Sequence, residues 1–211
     1  MIVLTIDQEG SRREPDRVPK LLERLADVST IAGFERTVGD EVQGLLDDAR
    51  AASAAIRCAM RMGGWHVGIG IGQVDDDALA EIRSGSVRTG RGAAFIRARE
   101  AVERAKKYPV SVAVVAGEDG GGVGAAPSST ADALQAILHL IGVVVSERTP
   151  AQREVVKLLD AGMSGRDIAA ALAISEPSVS RRRRLAHVAE ESAAWPVVKR
   201  LLAGLDRVVA S

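Results

Sequence analysis

Soft metal ligands are scarce in this chain: one cysteine, Cys58, and three histidines, His66, His139 and His187, among 211 residues. A lone thiol builds neither a disulfide framework nor a cysteine zinc site, and it suits a reducing compartment. The histidines fall in separate segments, which speaks against a histidine metal cluster. Net charge is missing too. Lys+Arg and Asp+Glu stand at 28 each, so there is no global basic field, and any affinity for nucleic acid has to be local. Long apolar runs are also lacking. The longest, Ala136 to Val145, is interrupted by His139 and falls short of the roughly 20 residues that cross a bilayer. The opening Met1 to Asp7 has no basic flank and reaches an acid too soon for a signal peptide. These absences predict a cytoplasmic chain without a membrane segment.

A hydrophobic content of 46% over 211 residues is enough to bury a core, and two units account for the length better than one. Ile2 to Ile6 is a short β-branched run that reads as a buried strand. Leu21, Leu22, Leu25 and Val28 repeat at helical spacing. Phe34 to Val38 reads as a strand and Gly39-Asp40 as a tight turn leading into a second strand or a helix start. Glu41 to Met62 reads as one long helix carrying Leu45, Leu46, Ala49, Ala52, Ile56 and Met60 on one stripe, stopped by Gly63-Gly64. Trp65 to Gly72 alternates bulky residues with glycine, as a strand does where another backbone or a ligand comes close. Arg91 to Lys107 is helical and Val110 to Ala116 is a buried strand. The Gly-rich stretch from Gly117 to Ser129 marks a boundary or hinge, and Ala131 to Ser146 is an apolar helix.

Past residue 147 the character changes to short helices with tight turns. Thr149-Pro150-Ala151-Gln152 forms a capping box with proline at the first helical position. Gly162 permits a stop, Ser164 caps a second helix and Ser175-Glu176-Pro177 caps a third. Val155, Val156, Leu159, Ile168, Leu172, Ile174 and Val179 are the expected shared core. That arrangement presents Ser175, Glu176, Ser178, Ser180, Arg181, Arg182 and Arg184 outward. Small hydroxyls beside guanidinium groups can read guanine edges or hold phosphates of double-stranded DNA. Trp195-Pro196 then begins a last helix, with Val198, Leu201, Leu202, Leu205 and Val208 near one stripe. One such unit covers little DNA, which predicts a homodimer on paired half-sites.

The Thr-Pro-x-Gln-Arg-Glu start at Thr149, the Ile168-Ala169 pair and the Ser-x-x-Ser-Val run from Ser175 resemble the helix-turn-helix of LuxR-type regulators and of sigma-factor region 4. The resemblance covers about forty residues and implies the fold more than the target.

In the first unit, Asp7 at a strand end and Asp40 in a turn would lie side by side if their strands are neighbours. Paired carboxylates are hard ligands for Mg²⁺ and, through it, a polyphosphate; Gly39 would let a phosphate reach the backbone. As plain structure, the two are a loop cap and a turn residue. The order of strand with Asp, helix, Gly-Asp hairpin, helix, GIGIG strand and Arg-rich helix resembles the class III nucleotide cyclase fold. With Thr37-x-Gly39-Asp40-Glu41-x-Gln43-Gly44 and a C-terminal helix-turn-helix, nearly the whole chain is similar to the SatD family. The cyclase resemblance implies that Asp7 and Asp40 hold metal and that Arg99 faces the reacting phosphate. As plain structure, Arg99 would pair with Glu103 one helical turn on. The asparagine that the resemblance implies one turn before Arg99 is Phe95 here, whose apolar ring cannot orient a ribose, so the balance tips from catalysis toward nucleotide sensing.

The sequence therefore predicts an α+β chain: a ferredoxin-like or cyclase-like α/β sandwich over 1–147, sensing a ligand or dimerising, then an all-α helix-turn-helix with a C-terminal helix over 148–211. It predicts a DNA-binding transcriptional regulator. The alternative is an Mg²⁺-dependent nucleotidyl transferase or cyclase, and a third reading is a protein interaction module without a DNA target.

Overall fold

The computed structural model describes residues 1–117 and 129–210; the expected Gly-rich hinge, Gly117 to Ser129, lies but for its ends outside them. In chain order the elements are β1 (Ile2–Gln8), α1 (Val18–Leu25), β2 (Glu35–Arg36), β3 (Glu41–Leu46), α2 (Ala49–Met62), β4 (Trp65–Ile71), α3 (Asp76–Ser84), a 3-10 turn (Val87–Thr89), α4 (Ala93–Ala105), β5 (Val112–Ala116), α5 (Ser129–Ser146), α6 (Pro150–Asp160), α7 (Gly165–Ala171), α8 (Glu176–Leu185) and α9 (Val188–Ala210). The strands make one mixed sheet in the order β2-β3-β1-β4-β5. All pairings are antiparallel except β4 with β5. The chain is thus α+β, as expected.

β1 sits at the centre and is covered on both faces, so it reads as a continuous apolar run rather than an alternation. Ile2, Leu4 and Ile6 enter the main core with residues of α1, α2, α5 and α9, while Val3 enters a second core with Ala94, Phe95 and Ala98 of α4. The buried Thr5 hydroxyl accepts a bond from Gln43 Nε2 at 3.0 Å.

Residues Glu41 to Leu46, expected as the first turns of a long helix, form strand β3 instead. Val42 and Leu46 face the main core and Leu45 the second one. With both faces buried, the strand shows no period of two, and its leucines fall by chance on a helical stripe. The helix starts at Asp48, whose carboxylate accepts from Arg50 N–H (3.0 Å) and Ala51 N–H (3.2 Å).

The glycines of β4 admit the backbone of α4. A Cβ on Gly68 would stand 2.4 Å from Val102 N, and one on Gly70 2.2 Å from Ala94 O and Ala98 N. The helix answers with Ala94, Ala98 and Ala101, all fully buried. Such contact is closer than any strand side chain permits.

α5 is long and apolar enough to cross a membrane by length and composition. Its Leu134, Leu138, Ile141 and Val145 lie in the main core. Gln135 bonds the edge of β5, accepting from Val114 N–H at 2.8 Å and donating to Val112 C=O at 3.0 Å. α9 begins seven residues before the expected Trp195-Pro196 start and carries Pro196 inside it. Trp195, Val198, Leu202 and Leu205 pack into the main core; the Val208 side chain lies outside the described residues. Segment 148–211 thereby divides: α6, α7 and α8 share a core of their own, and α9 returns to the sheet domain.

Candidate nucleic-acid interface

Each of the three short helices has a hydroxyl at its start. At α6 the capping box is complete: Gln152 N–H donates to Thr149 Oγ1 (3.3 Å) and Thr149 N–H to Gln152 Oε1 (2.8 Å). Ser164 Oγ accepts from Asp167 N–H at 3.2 Å ahead of α7. Ser175 Oγ accepts from Ser178 N–H at 3.4 Å ahead of α8. Between α7 and α8 the backbone turns through Ala173 at φ 51°, in the left-handed region where a Cβ is strained. These caps fix the lengths of the helices, and short helices with short turns must cross rather than run side by side.

The crossing is filled by Val155, Ile168, Ala169 and Val179, with Leu159, Leu172 and Ile174 partly buried around them. Val156, expected in this cluster, turns toward α1 and α2 instead. The outer side of α8 presents Glu176, Ser180, Arg181 and Arg184 to solvent, with Arg182 half-buried. Arg183, outside the expected set, is exposed as well. Ser175 and Ser178 hold one another at 2.9 Å through their hydroxyls, so they serve the cap first. Among the described residues, no ion pair or side-chain hydrogen bond engages Arg181, Arg182, Arg183 or Arg184. Four consecutive residues sweep most of the way round a helix, so the guanidinium groups fan out; at most one or two share a base edge and the others suit phosphates.

α8 is held rigidly from behind. Arg148, at the junction of α5 and α6 and only 3% exposed, donates from Nε to Ala186 C=O at the end of α8 (2.9 Å) and from Nη2 to Glu191 Oε2 of α9 (2.6 Å). Arg61 of α2 grips the same carboxylate with Nε to Oε1 (2.8 Å) and Nη2 to Oε2 (2.9 Å). Arg61 also pairs with Asp160 of α6. Trp195 Nε1 adds a fourth bond to Glu191 at 3.0 Å. Burial alone would raise the Glu191 pKa, but the bonds from Arg61, Trp195 and Arg148 outweigh it and hold the group at about 2. Burial likewise opposes the charge on Arg61, and its bonds to Glu191 and Asp160 overcome that and raise its pKa.

The second group of candidate residues lies across the sheet. β1 and β3 are neighbours, as the pairing of Asp7 with Asp40 requires, but the cross-strand partner of Asp7 is Glu41. Asp40 stands one residue beyond the ladder, in the turn. Lys106 Nζ lies 3.2 Å from Asp7 Oδ2. Burial opposes the ammonium charge, and its bonds to Glu103 and Asp7 outweigh that and raise its pKa. Lys106 thus supplies Asp7 with the positive charge that a divalent cation would bring. Among the described residues no group of three or more His, Cys, Asp or Glu side chains is placed to hold a metal ion. Gly39 takes φ 60°, which the hairpin turn demands of it.

Arg99 does not pair with Glu103, which holds Lys106. It lines a cleft of about 420 Å³ with Arg88, Arg91 and Phe95. Arg99 is seven positions before Lys106, about 10 Å along α4, and neither Asp7 nor Asp40 lines that cleft. Phe95 is buried and lies on Gly90, where a Cβ would come within 2.1 Å of its ring; it is a packing residue. The Arg88-Thr89-Gly90-Arg91-Gly92 run is the sequence signal for this cleft. Comparisons with protein-family models, curated proteins and solved structures give no match, so function has to be read from these residues themselves.

Proposed function

We propose that α6, α7 and α8 form a helix-turn-helix that lays α8 in the major groove of duplex DNA, and that the chain is a cytoplasmic DNA-binding regulator acting as a homodimer. In this reading the α/β body senses a ligand or dimerises. The observation that carries it is the fan of Arg181 to Arg184, without a carboxylate partner among the described residues, on a helix clamped at both ends. In a protein with no net charge, such a local excess is the electrostatic footprint of a phosphate backbone. The resemblance to LuxR-type and sigma-factor helices supports it. For the body, the order β2-β3-β1-β4 of antiparallel strands supports the ferredoxin-like, cyclase-like reading. The transferase alternative loses support where Lys106 neutralises Asp7.

The test is a fluorescence anisotropy titration with fragmented genomic duplex at several salt concentrations. Arg181→Ala combined with Arg182→Ala should weaken binding and lower the salt slope by about two, one for each phosphate that no longer meets a guanidinium group. Unchanged affinity and slope would refute the reading.

A further inference from the structure

Behind α8 a second surface gathers charge. A groove of about 580 Å³ runs between α1 and α2 of the body on one wall and α6 on the other. Eight Lys and Arg side chains line it against two acids, Glu23 and Asp160, in a chain whose net charge is zero. Some of these cations are spent: Arg61 and Arg148 on Glu191, and Arg17 over the Trp65 ring at 5.5 Å with a bond to Gly63 C=O at 2.9 Å. Asp160 is spent on Arg61. Left over are Lys20, Arg24 and Arg57 on one wall and Arg153 and Lys157 on the other. None has an ion pair or side-chain hydrogen bond among the described residues, and Glu23 is the one lining acid not already engaged by a cation.

Like charges facing each other across a groove repel, and a multivalent anion between them relieves the repulsion while bonding to both walls. The volume lies within the range of small-molecule sites, about 300–1,000 Å³. Met62, Val145 and Val156 add apolar lining between the cations, which an inorganic ion would leave unused. We propose that this groove binds an organic polyphosphate of nucleotide size, its phosphates shared between Arg24 and Arg57 on one side and Arg153 and Lys157 on the other. Duplex DNA fits less well: α6 turns Val155 toward α8 and Val156 toward the groove, so the groove and the exposed side of α8 lie on different faces of α6. Because its walls belong to the body and to α6, an occupant would brace one against the other. That last consequence, an effector acting on DNA affinity, rests on the DNA-binding reading; the binding itself does not.

Isothermal titration of the full chain with ATP in EDTA, without DNA, tests the site. Saturable one-to-one binding is expected. Arg24→Ala with Arg57→Ala, and separately Arg153→Ala with Lys157→Ala, should each weaken it by about tenfold or more. All four residues are exposed, so thermal unfolding should confirm that both variants fold. Arg181→Ala with Arg182→Ala should bind ATP as the parent does. Cys58, the only thiol in the chain, lines the groove and reports occupancy without any substitution: ATP should slow its alkylation by iodoacetamide. No saturable binding, affinity kept when either wall is neutralised, equal loss in the α8 variant, or Cys58 alkylation unchanged by ATP would each overturn the proposal. So would wall variants that lose duplex binding in a protein that ignores ATP, which would make the groove a DNA-backbone surface.

Discussion

Arg61 and Glu191, 130 positions apart in the chain, meet at 2.8 Å and join the sheet domain to the helix that follows α8. The carboxylate is shielded from solvent, and a second guanidinium, Arg148, shares it. Buried charge of this kind contributes little net stability compared with an apolar filling, but removing one member is costly. Its role is geometric: one carboxylate sets where α2, α9 and the end of α8 stand relative to each other.

Glu191→Ala therefore leaves Arg148 without its carboxylate and Arg61 with Asp160 alone, in a poorly solvated place. The expected loss is about 3–5 kcal/mol, read from urea unfolding. Glu191→Gln keeps the shape and the Trp195 contact and should cost less. An alanine variant as stable as the parent would mean that water reaches both guanidinium groups.

Acid should loosen the same joint. The folded pKa of Glu191, about 2, lies below its ordinary value of 4.5. Its contribution is accordingly present in full above pH 4.5 and is lost as pH falls toward 2, on the order of 3 kcal/mol. Unfolding midpoints measured from pH 6 to pH 2 should drop most steeply in that window, and Glu191→Gln should flatten the drop.

Gly70→Ala places a methyl 2.2 Å from the α4 backbone. No side-chain rotamer relieves a clash with backbone, so α4 has to lift off the sheet. A loss of about 3 kcal/mol or more is expected, at the upper end of overpacking effects, measured by thermal unfolding. Gly39→Ala, where nothing lies within 4 Å, should cost only the strain of its positive φ, about 1–2 kcal/mol.

Ala173→Gly tests the turn between α7 and α8. The left-handed conformation costs alanine about 1–2 kcal/mol, and glycine gives back part of that through unfolded-state entropy. A net gain of about 0.5–1 kcal/mol is expected by chemical denaturation. A loss would show that the alanine methyl makes contacts worth more than the strain.

The pieces legible in the sequence are those governed by their neighbours along the chain. The caps at Thr149, Ser164 and Ser175 are short-range hydrogen bonds, and they mark α6, α7 and α8 correctly. β1, β4 and β5 carry β-branched residues bounded by breakers. The glycines of β4 announce a close approach, which is that of the α4 backbone. β3 reads as helix because burial on both faces erases alternation, although Asp48 holds the true helix signal. The start of α9 is hidden because Pro196 looks like a first-turn residue. α3 leaves little trace; its first turn, Asp76 and Asp77, resembles a solvated loop. What no local pattern could show is long-range pairing: Arg61 with Glu191, Lys106 with Asp7, and the cations that α1, α2 and α6 bring to one groove.

The return of α9 also bears on the order in which the protein assembles. Trp195, Val198, Leu202 and Leu205 fill a place in the main core that is made some 50 residues after α5, the last of the other core helices, is complete. Until those residues emerge during synthesis, the sheet domain has an open apolar seam, whereas α6, α7 and α8 already close around Val155, Ile168 and Val179. Helices α6, α7 and α8 can thus close before the body does, as a small unit between two of its segments, and α9 then seals both in register. A fragment ending at residue 147 should for the same reason aggregate rather than fold.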